Sequence, residues 1–127
     1  MIANIIAGLM GALVGAVLIA AVLYVAFRLL GMEVPRLANL WKAAFLASAA
    51  VIVADGVGSA LIPGDLGALV ILVVALTGAF FAYDTVLKTA DGEPMGRRAA
   101  AVALGAHAVF SLGMFLIVFP MVMAVLV

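Results

Sequence analysis

Four long apolar segments, separated by three short polar breaks, constrain this chain more than any other feature of its sequence. The segments cover about residues 2–27, 37–62, 66–87 and 99–119, and an apolar tail continues to residue 127. A helix of about 20 apolar residues crosses roughly 30 Å of hydrocarbon, and each segment is at least that long. Because lipid offers backbone groups no hydrogen-bond partners, the segments are predicted to be transmembrane α-helices.

The composition supports the same interpretation. Of 127 residues, 70% are hydrophobic and 9% are charged, whereas a soluble domain carries about 25% charged residues. The charged residues are too few to form the water-exposed surface of a soluble domain. The apolar surface is therefore predicted to face lipid. The expected fold is an all-α membrane protein, a four-transmembrane-helix antiparallel bundle that forms a single domain over residues 1–127.

Two prolines mark predicted irregularities in this bundle. Pro63 begins the second break, which is so short that the second and third helices are expected to form a tight antiparallel hairpin. Pro120 lies inside the last apolar run. It removes a backbone donor and clashes with the carbonyl group of Leu116, so we expect a kink or the end of the fourth helix there.

The composition also narrows the possible functions. Six basic and six acidic residues cancel, so the net charge does not favour nucleic acid as a partner. The chain contains no cysteine and one histidine. A lone histidine is not a metal site. With one histidine and no cysteine, the chain also offers no arrangement of a catalytic nucleophile and its base. We therefore expect a protein that is not an enzyme and that binds no metal or cofactor.

The positions of the basic residues predict how the chain is oriented in the membrane. All six lie in or beside the first and third breaks, namely Arg28, Arg36, Lys42, Lys88, Arg97 and Arg98. The positive-inside rule then puts loops one and three in the cytoplasm, and both termini and loop two on the other side. No basic region precedes the first apolar segment, which is therefore expected to be a retained helix in a cell's inner or plasma membrane.

Small residues recur every four positions along the first segment and form two neighbouring ridges. One ridge is Ala3, Ala7, Gly11 and Gly15, and the other is Gly8, Ala12, Ala16 and Ala20. The second segment has Ala50, Ala54 and Gly58 at the same spacing. Such ridges allow helices to approach closely, and Gly11 and Gly15 form a G-x-x-x-G motif. Either the bundle uses both ridges of the first helix, or it leaves one free for another subunit.

Six polar residues within the predicted helices are candidates for an intramembrane site, since each needs protein or water around it there: Ser48, Asp55, Ser59, Thr77, His107 and Ser111. Asp55 lies about 10 Å inside the end of the second helix, at a rise of 1.5 Å per residue. His107 lies about one helical turn from it in depth, and thus within reach if helices two and four touch. The pair is either a buried structural contact or a path for protons or ions, because histidine changes its charge near neutral pH.

Three further charged residues lie near the predicted cytoplasmic surface. Arg28 ends the first helix, from which its long side chain can reach the headgroups. Asp84 and Lys88 are one turn apart and so have the spacing of a helical ion pair. We expect these three residues to be charges of the cytoplasmic face and not parts of a site.

The leading hypothesis is a non-enzymatic structural or accessory subunit of a membrane complex or homo-oligomer. Its partners would be the lipid bilayer and either copies of itself or other membrane subunits, and it would assemble through its small-residue helix faces. The alternative is a small proton- or ion-coupled transporter or channel that uses Asp55 and His107. Almost no chain lies outside the membrane in either case.

The predicted orientation can be tested with reporter fusions. A reporter that is active only outside the cytoplasm should be active after Val127 and inactive when inserted near Asp91. The opposite pattern of activities would overturn the orientation that the basic residues predict.

Overall fold

A computed structural model describes residues 2–89 and 91–127 of the chain and confirms the predicted four-helix architecture. The helices are α1 (Ile2–Leu29), α2 (Leu37–Leu61), α3 (Asp65–Val86) and α4 (Arg97–Leu126). All four are long and apolar enough to cross a membrane, as in an integral membrane protein. The described residues contain no β-strand, although an isolated antiparallel bridge joins Lys88 to Pro94 in loop three.

The helices follow one another around the bundle. Each helix packs against the next and α4 packs against α1, so α2 and α4 lie on a diagonal. The hairpin between α2 and α3 is as tight as the sequence predicts. Gly64 precedes α3 with a φ of 96°, which favours glycine. At Gly67 an added Cβ would collide with the backbone carbonyl group of Ile62, so a larger residue would force the hairpin apart.

The bundle has two unlike ends. We call the end that carries loops one and three the basic end, and the end that carries loop two and both termini the terminal end. The buried side chains of the core cluster in the half nearer the basic end. Alanine dominates them: Ala43, Ala44 and Ala47 on α2 and Ala99, Ala100 and Ala103 on α4 belong to one cluster with larger side chains from α1 and α3.

Packing is much looser towards the terminal end. The most apolar window of α4 has no buried residue, and Val125 near its end is 85% exposed. The helices α1, α2 and α3 stay together there, because Ile52 packs against Gly8 and Ile71 packs against Gly58. The terminal half is thus a three-helix layer from which α4 has separated.

The fourth helix is longer than the sequence predicts. It runs from Arg97 to Leu126 and includes Pro120. Of the two outcomes expected at Pro120, a kink or the end of the helix, the helix end at about residue 119 is therefore wrong. A helix that ended within hydrocarbon would leave several carbonyl and N–H groups without partners, whereas proline removes only one donor. Continuing the helix through Pro120 is therefore the less costly arrangement.

At the basic end, the side chain of Asn39 links α2 to the end of α3 through hydrogen bonds. The amide group of Asn39, on the first turn of α2, donates to the Val86 carbonyl oxygen at 2.8 Å. Its side-chain oxygen accepts a hydrogen bond from the backbone N–H of Lys88 at 3.1 Å. Asn39 thereby satisfies backbone groups at the end of α3, where the helix no longer supplies partners.

Candidate functional site: a groove between α2 and α3

Asp55 lies within α2, six residues before the last residue of the helix, Leu61, or about 9 Å along its axis. Its side chain is exposed, and the Ser59 hydroxyl group donates to it at 3.4 Å. This is a long hydrogen bond from a neutral group, one turn away on the same helix. The carboxyl group therefore points out of the helix layer without a strong partner from its own helix.

Asp55 and Ser59 open into a groove of about 580 Å³ that we call the α2–α3 groove. Its walls come from Val51, Asp55 and Ser59 on α2 and from Ala68, Leu72 and Ala75 on α3. Asp55 is the only charged residue among all those that line it, and most of the others are aliphatic. The groove is therefore an apolar surface with one carboxyl group in it.

His107 lies outside this groove, and its partner is Tyr83. The Tyr83 hydroxyl group is 2.6 Å from Nδ1 of His107, and the two rings meet edge to face with centroids 5.9 Å apart. Tyr83 is fully buried. The hydroxyl group can donate to Nδ1 of a neutral ring or accept from Nδ1–H, and either arrangement satisfies it.

A second, smaller cavity lies next to the groove. It measures about 170 Å³ and is lined by Val51, Ala79, Leu104, His107 and Ser111, among others. Val51 also lines the α2–α3 groove, so the two cavities adjoin along α2. The α4 helix covers only the smaller cavity, because no α4 residue lines the groove.

The structure does not join Asp55 to His107. Within residues 2–89 and 91–127, no hydrogen bond or ion pair connects them, since Asp55 accepts from Ser59 and His107 pairs with Tyr83. The sequence estimate of their depths did not include the diagonal placement of α2 and α4. The two residues instead occupy neighbouring cavities that are separated by Val51.

The other predicted polar residues have different surroundings. Thr77 donates to the carbonyl oxygen of Val73 at 2.7 Å, so its own helix satisfies it. Ser111 is exposed beside His107, and Ser48 is partly buried on α2. Of the six residues, only Asp55 and Ser59 share a hydrogen bond.

The charged residues at the basic end make fewer contacts than expected. Arg28 donates to the Tyr24 hydroxyl group at 3.0 Å. Across the described part of the chain no ion pair links Asp84 to Lys88, which contradicts the helical spacing argument. The reason is that α3 ends at Val86, and the backbone at Leu87 is extended. Lys88 therefore does not continue the helical turn that would bring it over Asp84.

The four predicted packing glycines fall into two groups. An added Cβ at Gly8 would lie 2.9 Å from Ile52, and one at Gly58 would lie 2.5 Å from Ile71. These two glycines permit close packing within the bundle. An added Cβ at Gly11 or Gly15 would meet no atom within 4 Å, so these two glycines lie on an open surface.

Sequence reasoning missed Tyr83 as the partner of His107. A signal was present, because Ala75, Ala79, Tyr83 and Leu87 recur every four residues and are all buried. A tyrosine in such a stripe needs a partner for its hydroxyl group inside the protein. The sequence did not show which helix would supply that partner.

Comparison of the chain with models of protein families, with curated proteins and with solved structures finds no match. In the described residues, no three histidine, cysteine, aspartate or glutamate side chains come together in a way that could hold a metal ion. Two features of the described residues can be examined further: the α2–α3 groove and the open surface at Gly11 and Gly15.

The Tyr83–His107 hydrogen bond should contribute to stability. We expect Tyr83→Phe to lower the free energy of unfolding by about 1–3 kcal/mol, because His107 then loses its partner in a partly buried position. Tyr24→Phe is the matched control, since it removes a hydroxyl group whose bond to Arg28 is exposed; its effect should stay within about 0.5 kcal/mol. Reversible unfolding in mixed micelles measures both. Equal effects of the two substitutions would contradict a stabilising role for the pair.

Proposed function

We propose that the chain is a non-enzymatic membrane subunit that associates with further copies of itself through one face of α1. This face, the outer ridge, consists of Ala3, Ala7, Gly11 and Gly15. The observation that carries the proposal is the open space around Gly11 and Gly15, which have no neighbour within 4 Å of an added Cβ.

The second ridge of α1 supports the proposal by contrast. Ala12, Ala16 and Ala20 are buried in the bundle, and Gly8 packs against Ile52. The same pattern of small residues is therefore used for helix packing on one side of α1. On the other side it continues without a partner, although it includes the complete G-x-x-x-G motif.

A second copy of α1 is the occupant that fits this surface best. Two G-x-x-x-G faces can pack against each other because each lets the backbone of the other come close. Asn4 is exposed seven residues before Gly11, hence two turns away on about the same side of α1. Across such an interface, two copies of Asn4 can exchange a hydrogen bond, which is worth about 1 kcal/mol in membrane helices.

Substitution of the two open glycines tests the association. Gly11→Leu combined with Gly15→Leu adds bulk where the two backbones should meet, and should convert the assembled species into a smaller one in mild detergent. Gly105→Leu is the matched control, because Gly105 on α4 also has no atom within 4 Å of an added Cβ. Sedimentation measures the mass of each species. A wild type that is already monomeric, or a double variant that assembles as the wild type does, would contradict the proposal.

The proposed orientation follows from the basic residues. With loops one and three in the cytoplasm of a cell bounded by an inner or plasma membrane, the basic end faces inward and the terminal end faces outward. The outer ridge of α1 then lies in the outward half of the bilayer. The reporter fusions described above test this placement.

Transport of protons or ions is the second candidate function. The observation in its favour is that the α2–α3 groove, with Asp55, adjoins the cavity that contains His107. A path along these cavities would run from the terminal end to about the middle of the bundle. It would still have to pass the packed core to reach the basic end, which is why we favour the subunit.

Flux measurements separate the two candidates. If the groove carries protons or ions, Asp55→Asn should abolish pH-dependent flux into reconstituted vesicles, because the amide group keeps the size of the side chain but cannot ionise. Asp65→Asn, which lies outside the groove at the same end, should leave the flux unchanged. Wild-type vesicles that are no more permeable than empty ones would exclude this function under those conditions.

A further inference from the structure

We propose that the α2–α3 groove binds an amphipathic cation, a small molecule with an apolar body and one positive charge. Asp55 would hold the charge and the aliphatic walls would hold the body. This inference goes beyond self-association through α1, because it concerns a different surface. It also does not require that the ligand be transported.

The first step concerns the charge. A carboxylate at the depth of a membrane is unfavourable unless water or a partner compensates its charge. Among residues 2–89 and 91–127, the hydrogen-bond partner of Asp55 is the Ser59 hydroxyl group at 3.4 Å. All six basic residues lie between positions 28 and 42 or between 88 and 98, and thus towards the basic end. A cation bound in the groove would supply the positive charge that no basic side chain brings to Asp55.

The second step concerns the body of the ligand. The groove has a volume of about 580 Å³, within the range of about 300–1,000 Å³ that is usual for small-molecule sites. Ala68 and Ala75 leave room along α3, and Leu72 and Val51 provide apolar contact. Such a surface favours an apolar molecule with a single charged group over one with several polar groups.

Bare metal ions fit the groove poorly. Calcium and magnesium need about six oxygen ligands, whereas the side chains that line the groove provide oxygen only from Asp55 and Ser59. A second copy of this chain is also a poor occupant, because in a parallel assembly its terminal half brings no basic residue to the groove. The amine headgroup of a phospholipid would have to reach about 9 Å below the end of α2. An organic cation does not need several oxygen ligands, carries its own positive charge and can lie within the groove.

Two ions of nearly the same shape and opposite charge test the proposal on the purified full chain. Tetraphenylphosphonium should bind the wild type in maltoside micelles, as measured by equilibrium dialysis. Asp55→Asn should weaken that binding at least about tenfold, because it removes the charge that faces the ligand in the groove. Asp65→Asn changes the same charge outside the groove and should leave the affinity within about twofold. Tetraphenylborate should bind no better to the wild type than to Asp55→Asn.

A second variant keeps the test decisive if Asp55→Asn does not fold. Ala68→Trp fills the groove but retains the carboxyl group, and it should also weaken tetraphenylphosphonium binding at least about tenfold. Helix content and elution volume show whether each variant is folded. Equal affinity of the cation for the wild type and either folded groove variant would overturn the proposal. So would competition by added phosphatidylethanolamine, which would assign the groove to a lipid headgroup.

Discussion

Close contact between alanine-rich helix faces is the interaction on which this structure depends. Lipid tails are as apolar as the side chains themselves, so burying apolar surface does not drive the helices together. They associate where backbones can approach, and each helix brings small buried residues to the core, such as Ala16 on α1, Ala43 on α2, Ala79 on α3 and Ala103 on α4. These residues lie towards one end of the bundle. The bundle is consequently packed at the basic end and open at the terminal end.

This uneven packing explains why the polar residues within the helices have different surroundings. Tyr83 belongs to the buried core and His107 lies one turn beyond Ala103, the last core residue of α4, so each is close enough to another helix to find a partner. Asp55 lies beyond that point, where α4 has separated from α2 and α3, and it finds only Ser59. A polar residue in the packed half therefore makes a structural contact with another helix, whereas one in the open half is available for other contacts.

The sequence predicted the parts of the fold that depend on local chemistry. Segment lengths predicted four helices, and the short break at Pro63 predicted the hairpin, because both follow from backbone hydrogen bonding and loop length. The predicted end of α4 before Pro120 was wrong, since local proline preference was outweighed by the cost of free backbone groups in lipid. The partner of His107 was missed because it depends on which helices are diagonal, which no local pattern encodes.

The two surfaces of this protein that lack a partner differ in what can cover them. The outer ridge of α1 is wholly apolar around Gly11 and Gly15, so lipid covers it at no electrostatic cost, and a second helix competes only by fitting more closely. The α2–α3 groove contains Asp55, so lipid alone covers it poorly. What covers the outer ridge of α1 therefore depends on geometric fit, whereas what covers the α2–α3 groove depends on charge. Because the surfaces lie on different helices, a change in one leaves the chemistry of the other intact, so the proposed assembly and the proposed ligand binding can be tested separately.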